Sequence, residues 1–293
     1  SVPSTKKAVF LVENAYMGNA TTYQTFCTKV AAEVEWIKKI QSGVELGESQ
    51  TAWRYALHRY FSDTLLVNGK QHFPYRYDFE DIWGYKDFTK VFVYKLLSAG
   101  TGQCHSLPLL YKILADECGL PSYLAFSPAH SYIRYQDERG QWNNFELTNG
   151  HLVSDSWILA SGYIQSEALR SGIYMDTIGE KGTIAYCIVD MAIAYSVRFG
   201  MDGFVAECTD LALKHDPNSL QGWLLRSDYQ TVLTQYVMKQ VGNVTEAMLR
   251  QRYPQAYAQV QKCKGIYAQV DRMGYKPMPK ENYQAWLDSG KKP

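Results

Sequence analysis

No charge of one sign dominates this chain. Its 293 residues carry 30 Lys plus Arg against 29 Asp plus Glu, a formal net charge of +1. Without a basic excess there is little to neutralise a phosphate backbone, so no nucleic-acid partner is expected. Long hydrophobic runs are missing as well. The stretch from Thr183 to Ala194 is interrupted by Tyr186 and Asp190. It falls short of the roughly 20 apolar residues that a bilayer span needs, so no membrane span is expected. The six cysteines, Cys27, Cys104, Cys118, Cys187, Cys208 and Cys263, include no CxxC pair. That excludes zinc-ribbon and thioredoxin-type motifs. Their wide spacing, in a chain long enough to build its own core, does not read as a disulfide framework. No charged and then apolar leader is visible, and the chain opens at Ser1, which fits either a removed leader or a trimmed start.

What is present is the composition of a globular protein. Hydrophobic residues make up 46% and charged residues 20%, which excludes wholesale disorder. The length suits one large domain or two ordinary ones. Aromatic residues reach 14%, with 23 Tyr and 7 Trp, enough for an amphipathic core or an aromatic-lined groove.

The first hundred residues read mostly as helix. Phe26, Val30, Val34 and Ile37 recur at helical spacing within residues 21–40, behind a cap in residues 19–22. A second helix is expected over 50–66, with Trp53, Ala56, Leu57, Tyr60, Phe61 and Leu65 on its apolar face, ended by turn chemistry at residues 67–70. Residues 72–85 form a loop rich in aromatics and acids, and its Trp83 and Tyr85 are candidates for the wall of a cleft. Next come a short apolar piece at 91–97 and a glycine-rich approach, Gly100-Thr101-Gly102, to Cys104. Leu107, Leu110, Tyr111 and Leu114 then mark a helix over 105–117, with Pro108 in its first turn and Gly119 and Pro121 stopping it. Cys104 therefore sits at a helix N-terminus.

The period then changes to two. Residues 123–126, 130–135 and 142–147 read as strands, the last two as a hairpin. If the turn centres on Glu138, His130 lies directly opposite Glu146. Ile133, Phe145 and Leu147 would share one face, and His130, Tyr132, Arg134, Trp142, Asn144 and Glu146 the other. After residue 151 the chain is expected to return to helix and stay there.

Three residues in this region can work together. A thiol at a helix N-terminus is stabilised as thiolate by the dipole, and the backbone N–H there can receive a developing oxyanion. A strand histidine can take the thiol proton and return it to a leaving group, and an acid on its other nitrogen fixes the tautomer. Cys104, His130 and Glu146 supply these roles in order, with Asn144 or Asn149 as alternative partners of His130. Gln103 is a second candidate oxyanion donor, less favoured than the Cys104 N–H. Cys118 reads as structural, and so does His105, which points away from Cys104. His151 could approach from the rim. Cys104, His105, His130 and His151 contain no short-spaced ligand pair, so no metal and no cofactor is expected.

The segment GTGQCHSLPLLYKILADECGLPSYLAFSPAHSYIRY, followed by GQWNNFELTNG, resembles the core of the transglutaminase-like superfamily. The resemblance covers roughly residues 90–150. It implies an α+β protein with a papain-like core, a nucleophile helix packed on an antiparallel sheet, and a Cys-His-Asp triad that attacks amides through an acyl-enzyme. Cys104 and His130 match the nucleophile and the base; the third position departs, carrying Glu146 where the family usually has Asp. The implied activity is a cysteine-dependent hydrolase or acyltransferase on an amide or peptide bond, protease-like rather than cross-linking. Its substrate would be a peptide or protein, with cell-wall peptide as one form. The superfamily also contains members that only bind, so a non-catalytic peptide- or protein-binding scaffold is the alternative.

Residues 183–236 resemble tetratricopeptide helical hairpins, on Gly200, Ala212, Leu213, Pro217 and Trp223. An ordinary helical pair ended by a proline accounts for the same residues. Residues 254–273 read as a further helix, and the tail from Gly274, with Pro277 and Pro279, as a segment that wraps. The expected division is a catalytic domain over 1–175, including the N-terminal helices, and a mostly helical domain over 176–293 that offers a surface to a protein partner. An exported location, periplasmic or extracellular, is expected from the resemblance and from the start at Ser1; a reactive thiol weighs towards a reducing compartment.

Overall fold

The computed structural model describes residues 3–290. The chain is α+β and divides into two compact units. Unit 1 takes the residues up to 164, then 174–180 and those from 277 onward; unit 2 takes 165–173 and 181–276. A single cut at 175 therefore does not describe it. The chain leaves unit 1, returns briefly, and returns again at its end.

Unit 1 opens with α1 (Thr5–Tyr16), α2 (Tyr23–Ser42) and α3 (Gln50–Ser62), whose first turns are capped by the side chains of Ser4, Thr22 and Ser49. The expected face of α2 is buried, with Phe26, Val30 and Ile37 fully so. The helix expected over 50–66 stops early. Leu65–Val67 is a strand, β1, which pairs with β2 (Lys70–His72) across Asn68 and Gly69. Both turn residues take positive φ, 51° and 74°, the backbone that an Asn-Gly hairpin turn requires.

Next, β3 (Arg76–Tyr77) precedes α4 (Val93–Ala99) and β4 (Thr101–Gly102), and β3 and β4 pair in parallel. No side chain of its own caps α4. Instead the buried Glu13 carboxylate of α1 accepts hydrogen bonds from the N–H groups of Val93 and Tyr94, at 2.6 and 2.9 Å.

The apolar face of α5 (Ser106–Glu117), including Leu107, Leu110 and Leu114, is fully buried. The strands β5 (Tyr123–Ser127), β6 (His130–Gln136), β7 (Trp142–Glu146) and β8 (His151–Val153) follow. Ile133 and Phe145 are fully buried on one sheet face, where the Phe145 ring meets Tyr111 of α5 and His58 of α3. Chain order continues with α6 (Asp155–Ser161) and, in unit 2, α7 (Ser166–Arg170). Back in unit 1, β9 (Thr177–Ile178) completes an antiparallel five-stranded sheet in the order β8-β7-β6-β5-β9. The chain thus does not return to helix at residue 151: β8 and β9 both lie beyond that point.

Unit 2 is helical: α8 (Glu180–Phe199), α9 (Gly203–His215), α10 (Leu220–Val241), α11 (Glu246–Arg252) and α12 (Pro254–Arg272) follow α7. Ala185, Val189 and Ala192 of α8 pack with Val205, Cys208 and Ala212 of α9 and Leu225 of α10. Helix α8 is long and apolar enough by composition to cross a membrane. Ala185, Val189 and Ala192 of this helix are fully buried in this core. The α9–α10 turn uses residues singled out in the sequence: Trp223 donates its indole N–H to the Pro217 carbonyl at 2.9 Å. Finally, the chain past Pro277 forms α13 (Lys280–Gly290) and belongs to unit 1.

Candidate active site

The Cys104 turn is built by its neighbours. Gly100, at φ 69°, ends α4, and β4 carries the chain into the first turn of α5. A Cβ on Gly102 would stand 2.5 Å from the Ser106 hydroxyl and 3.0 Å from a Leu96 methyl, so only glycine fits without displacement. That clearance lets the Ser106 hydroxyl accept the Gln103 N–H at 3.1 Å. The first intrahelical bond runs from the Leu107 N–H to the Gln103 carbonyl, which places Cys104 in the opening turn with its N–H ahead of the helical ladder.

His130 opens β6 after a tight connection, Pro128–Ala129, closed by the Ser127–His130 pair. Ala129 takes φ 56°, a strained backbone for a residue with a Cβ, and its carbonyl lies 4.0 Å from the Cys104 sulfur. The Ser131 hydroxyl donates to the Cys104 carbonyl, tying the start of β6 to the start of α5.

The expected three residues meet in space. The Nε2 of His130 lies 2.5 Å from Glu146 Oε2, and the Cys104 thiol lies close enough to the same imidazole to raise its pKa. Glu146 is 2% exposed, and its other oxygen accepts from the Thr148 N–H and hydroxyl at 2.9 and 2.7 Å. Burial alone would lower the His130 pKa; the Glu146 charge, with the Cys104 thiol and the Glu146 hydrogen bond, outweighs it and pushes it up to about 10. Burial alone would raise Glu146; the His130 charge and the bonds from His130 and Thr148 hold it below its ordinary value.

The hairpin register differs from the expected one by two residues. Ile133 pairs with Phe145 and Arg134 with Asn144, so the turn centres on Arg139 rather than Glu138. The Asp137 carboxylate fixes it by accepting the N–H groups of Arg139 and Gln141, with Gly140 at φ 74°. An even shift keeps both faces as expected but makes Glu146 a diagonal neighbour of His130. The extra methylene of Glu over Asp spans that diagonal.

The other sequence candidates lie elsewhere. Asn144 donates to the Val153 carbonyl and the Asp155 carboxylate, and Asn149 accepts the His151 N–H, so neither holds His130. Gln103 gives its side-chain N–H to the Asp81 carbonyl, which commits it to the aromatic loop rather than to an oxyanion. Burial drops the His105 pKa to about 4, consistent with a structural imidazole. His151 is exposed, opposite Glu146 on β8. Burial pushes the Cys118 thiol up to about 11. All six cysteines are free thiols.

Two residues beside the thiol carry no sequence signal. Tyr77 is brought there by the β3–β4 pairing, which sets it against Gly102. Burial holds its hydroxyl protonated far above its ordinary range, and the charge of the nearby Cys104 pushes the same way. Tyr283 of α13 stands near Cys104 and, with Ser127, His130, Glu146, Trp157 and Met278, lines a small cleft next to His130. No family model, curated protein or solved structure matches the chain.

Proposed function

We propose that this chain is a cysteine-dependent hydrolase or acyltransferase of amide bonds, built on a papain-like, transglutaminase-type core. One observation carries the reading: a single buried imidazole, hydrogen-bonded to the Glu146 carboxylate, stands beside the Cys104 thiol. Glu146 favours imidazolium, and the charge of imidazolium favours thiolate at the helix N-terminus. The Cys104 sulfur attacks the carbonyl carbon of the amide, and the carbonyl π electrons move to oxygen. The Cys104 N–H and the Tyr77 hydroxyl are the donors we assign to that oxyanion. As the C–N bond breaks, His130 gives its proton to the leaving amine, and a thioester remains. His130 then takes a proton from water as hydroxide adds to the thioester carbon; the C–S bond breaks, the carboxylic acid leaves, and the proton held by His130 restores the thiolate–imidazolium pair. Water suffices as acceptor, which favours hydrolysis over cross-linking. The substrate is a peptide or protein.

The test is turnover of a peptide-amide library by wild type, Cys104→Ala and Glu146→Gln. Cleavage by wild type with about a 10³-fold or greater loss in Cys104→Ala supports the reading. Cleavage that survives in Cys104→Ala overturns it. A ligand that binds both proteins equally, with no turnover, supports a binding scaffold instead.

A further inference from the structure

An aromatic side chain from the end of the chain stands beside Cys104. Pro277 and Pro279 deliver the chain to α13, and the Tyr283 N–H bonds back to the Pro279 carbonyl at 3.0 Å. Tyr283 then stacks on Trp83, with ring centroids 5.6 Å apart and planes at 25°. It lies close enough to Cys104 and Tyr85 for their charges to raise its own pKa further, after burial has raised it most. Trp83 sits on a prepared surface. Its loop is pinned by the Asp81 carboxylate, which accepts the N–H groups of Lys86 and Asp87, and by the Asp81 carbonyl, which accepts from Gln103 next to the nucleophile. Yet Trp83 remains 45% exposed and Tyr85 87% exposed, more aromatic surface than Tyr283 covers.

We infer that Trp83 and Tyr85 form an aromatic subsite beside the Cys104 thiol, and that the segment from Pro277 occupies it by seating Tyr283 there. A peptide substrate with an aromatic side chain near its scissile amide must displace that segment. This rests on the reading of Cys104 as nucleophile and deepens it. A tethered aromatic competes at an effective concentration in the millimolar range, so only a well-matched or multivalent substrate displaces it.

The test reads the rate at which fluorescein maleimide labels Cys104 in the full chain, followed by peptide mass spectrometry. Tyr283→Ala should label about 10-fold faster than wild type or more, and Trp83→Ala by a similar factor. The double variant should be no faster than either single one, because both remove the same contact. Tyr283→Phe, which keeps the stack, should stay near the wild-type rate. A synthetic peptide of residues 279–290 should slow labelling of Tyr283→Ala, and the same peptide with alanine at position 283 should not. Equal rates in wild type and Tyr283→Ala, or equal protection by the two peptides, would overturn the inference. These are ratios at one pH and do not depend on turnover. The catalytic reading is judged separately, by cleavage in Cys104→Ala, so one can fail while the other stands.

Discussion

At the residue scale, the chemistry turns on one proton. Glu146 raises His130 from an ordinary 6.5 to about 10, so the imidazole stays protonated across the neutral range. A group whose pKa is raised by folding stabilises the native state fully below 6.5, and that contribution is lost as pH rises through about 10. Glu146→Gln removes the largest raising charge while burial and the Cys104 contribution remain, so the His130 pKa should fall well below 10. Imidazole proton shifts followed by NMR against pH would show it, and a titration still near 10 in that variant would contradict the assignment. Fast alkylation of Cys104 near neutrality should slow with it. Tyr77→Phe makes a different prediction, because its hydroxyl stands beside the thiol and is assigned to the oxyanion. It should lower kcat by about 10²-fold with KM nearly unchanged. A loss confined to KM would remove Tyr77 from that role.

At the scale of elements, the site depends on how closely α4, β4 and α5 approach one another. Gly102→Ala should cost about 1–3 kcal/mol in denaturant unfolding, because a Cβ there meets both Ser106 and Leu96. Adding Ser106→Ala should recover part of the loss, since its hydroxyl is the nearer obstruction; no recovery would place the strain elsewhere. These local constraints separate what the sequence made legible from what it did not. The order of Cys104, His130 and Glu146 and the parity of the hairpin were readable, because a period of two survives any even slip. The register itself was not, because Asp137 selects the turn through backbone contacts that no alternation encodes. Leu65 continued the apolar period of α3 in sequence, and the Asn68-Gly69 turn that claims it for β1 competed with that pattern and won. Tyr77 could not be found at all: it reaches Cys104 only through a parallel pairing between segments 25 residues apart, Arg76 with Thr101 and Tyr77 with Gly102. Tyr283 arrives from farther still.

At the scale of the whole molecule, the two units should answer acid in opposite ways. In unit 1, Glu146 is held below its ordinary value by His130 and Thr148. Its contribution is present above the unfolded pKa of 4.5 and is lost as pH falls through the lower folded value. In unit 2, burial lifts Asp190 of α8 well above 3.8. The native state therefore keeps a proton that the unfolded chain releases above 3.8, so its stability falls as pH rises through that window. Hydrogen exchange, corrected for the intrinsic pH dependence of the amides, resolves the units separately. On lowering the pH from 7 towards 4, protection in residues 181–276 should hold or rise. Protection in β6 and β7 should begin to fall below about pH 4.5. Asp190→Asn should stabilise unit 2 at pH 7 and flatten its acid response, leaving that of β6 and β7 intact; Glu146→Gln should do the reverse. The variants make the argument specific, because each removes one carboxylate whose pKa shift has a different cause. If Asp190→Asn destabilises unit 2 at pH 7, the ionised carboxylate is held by favourable contacts and the sign assigned to burial is wrong.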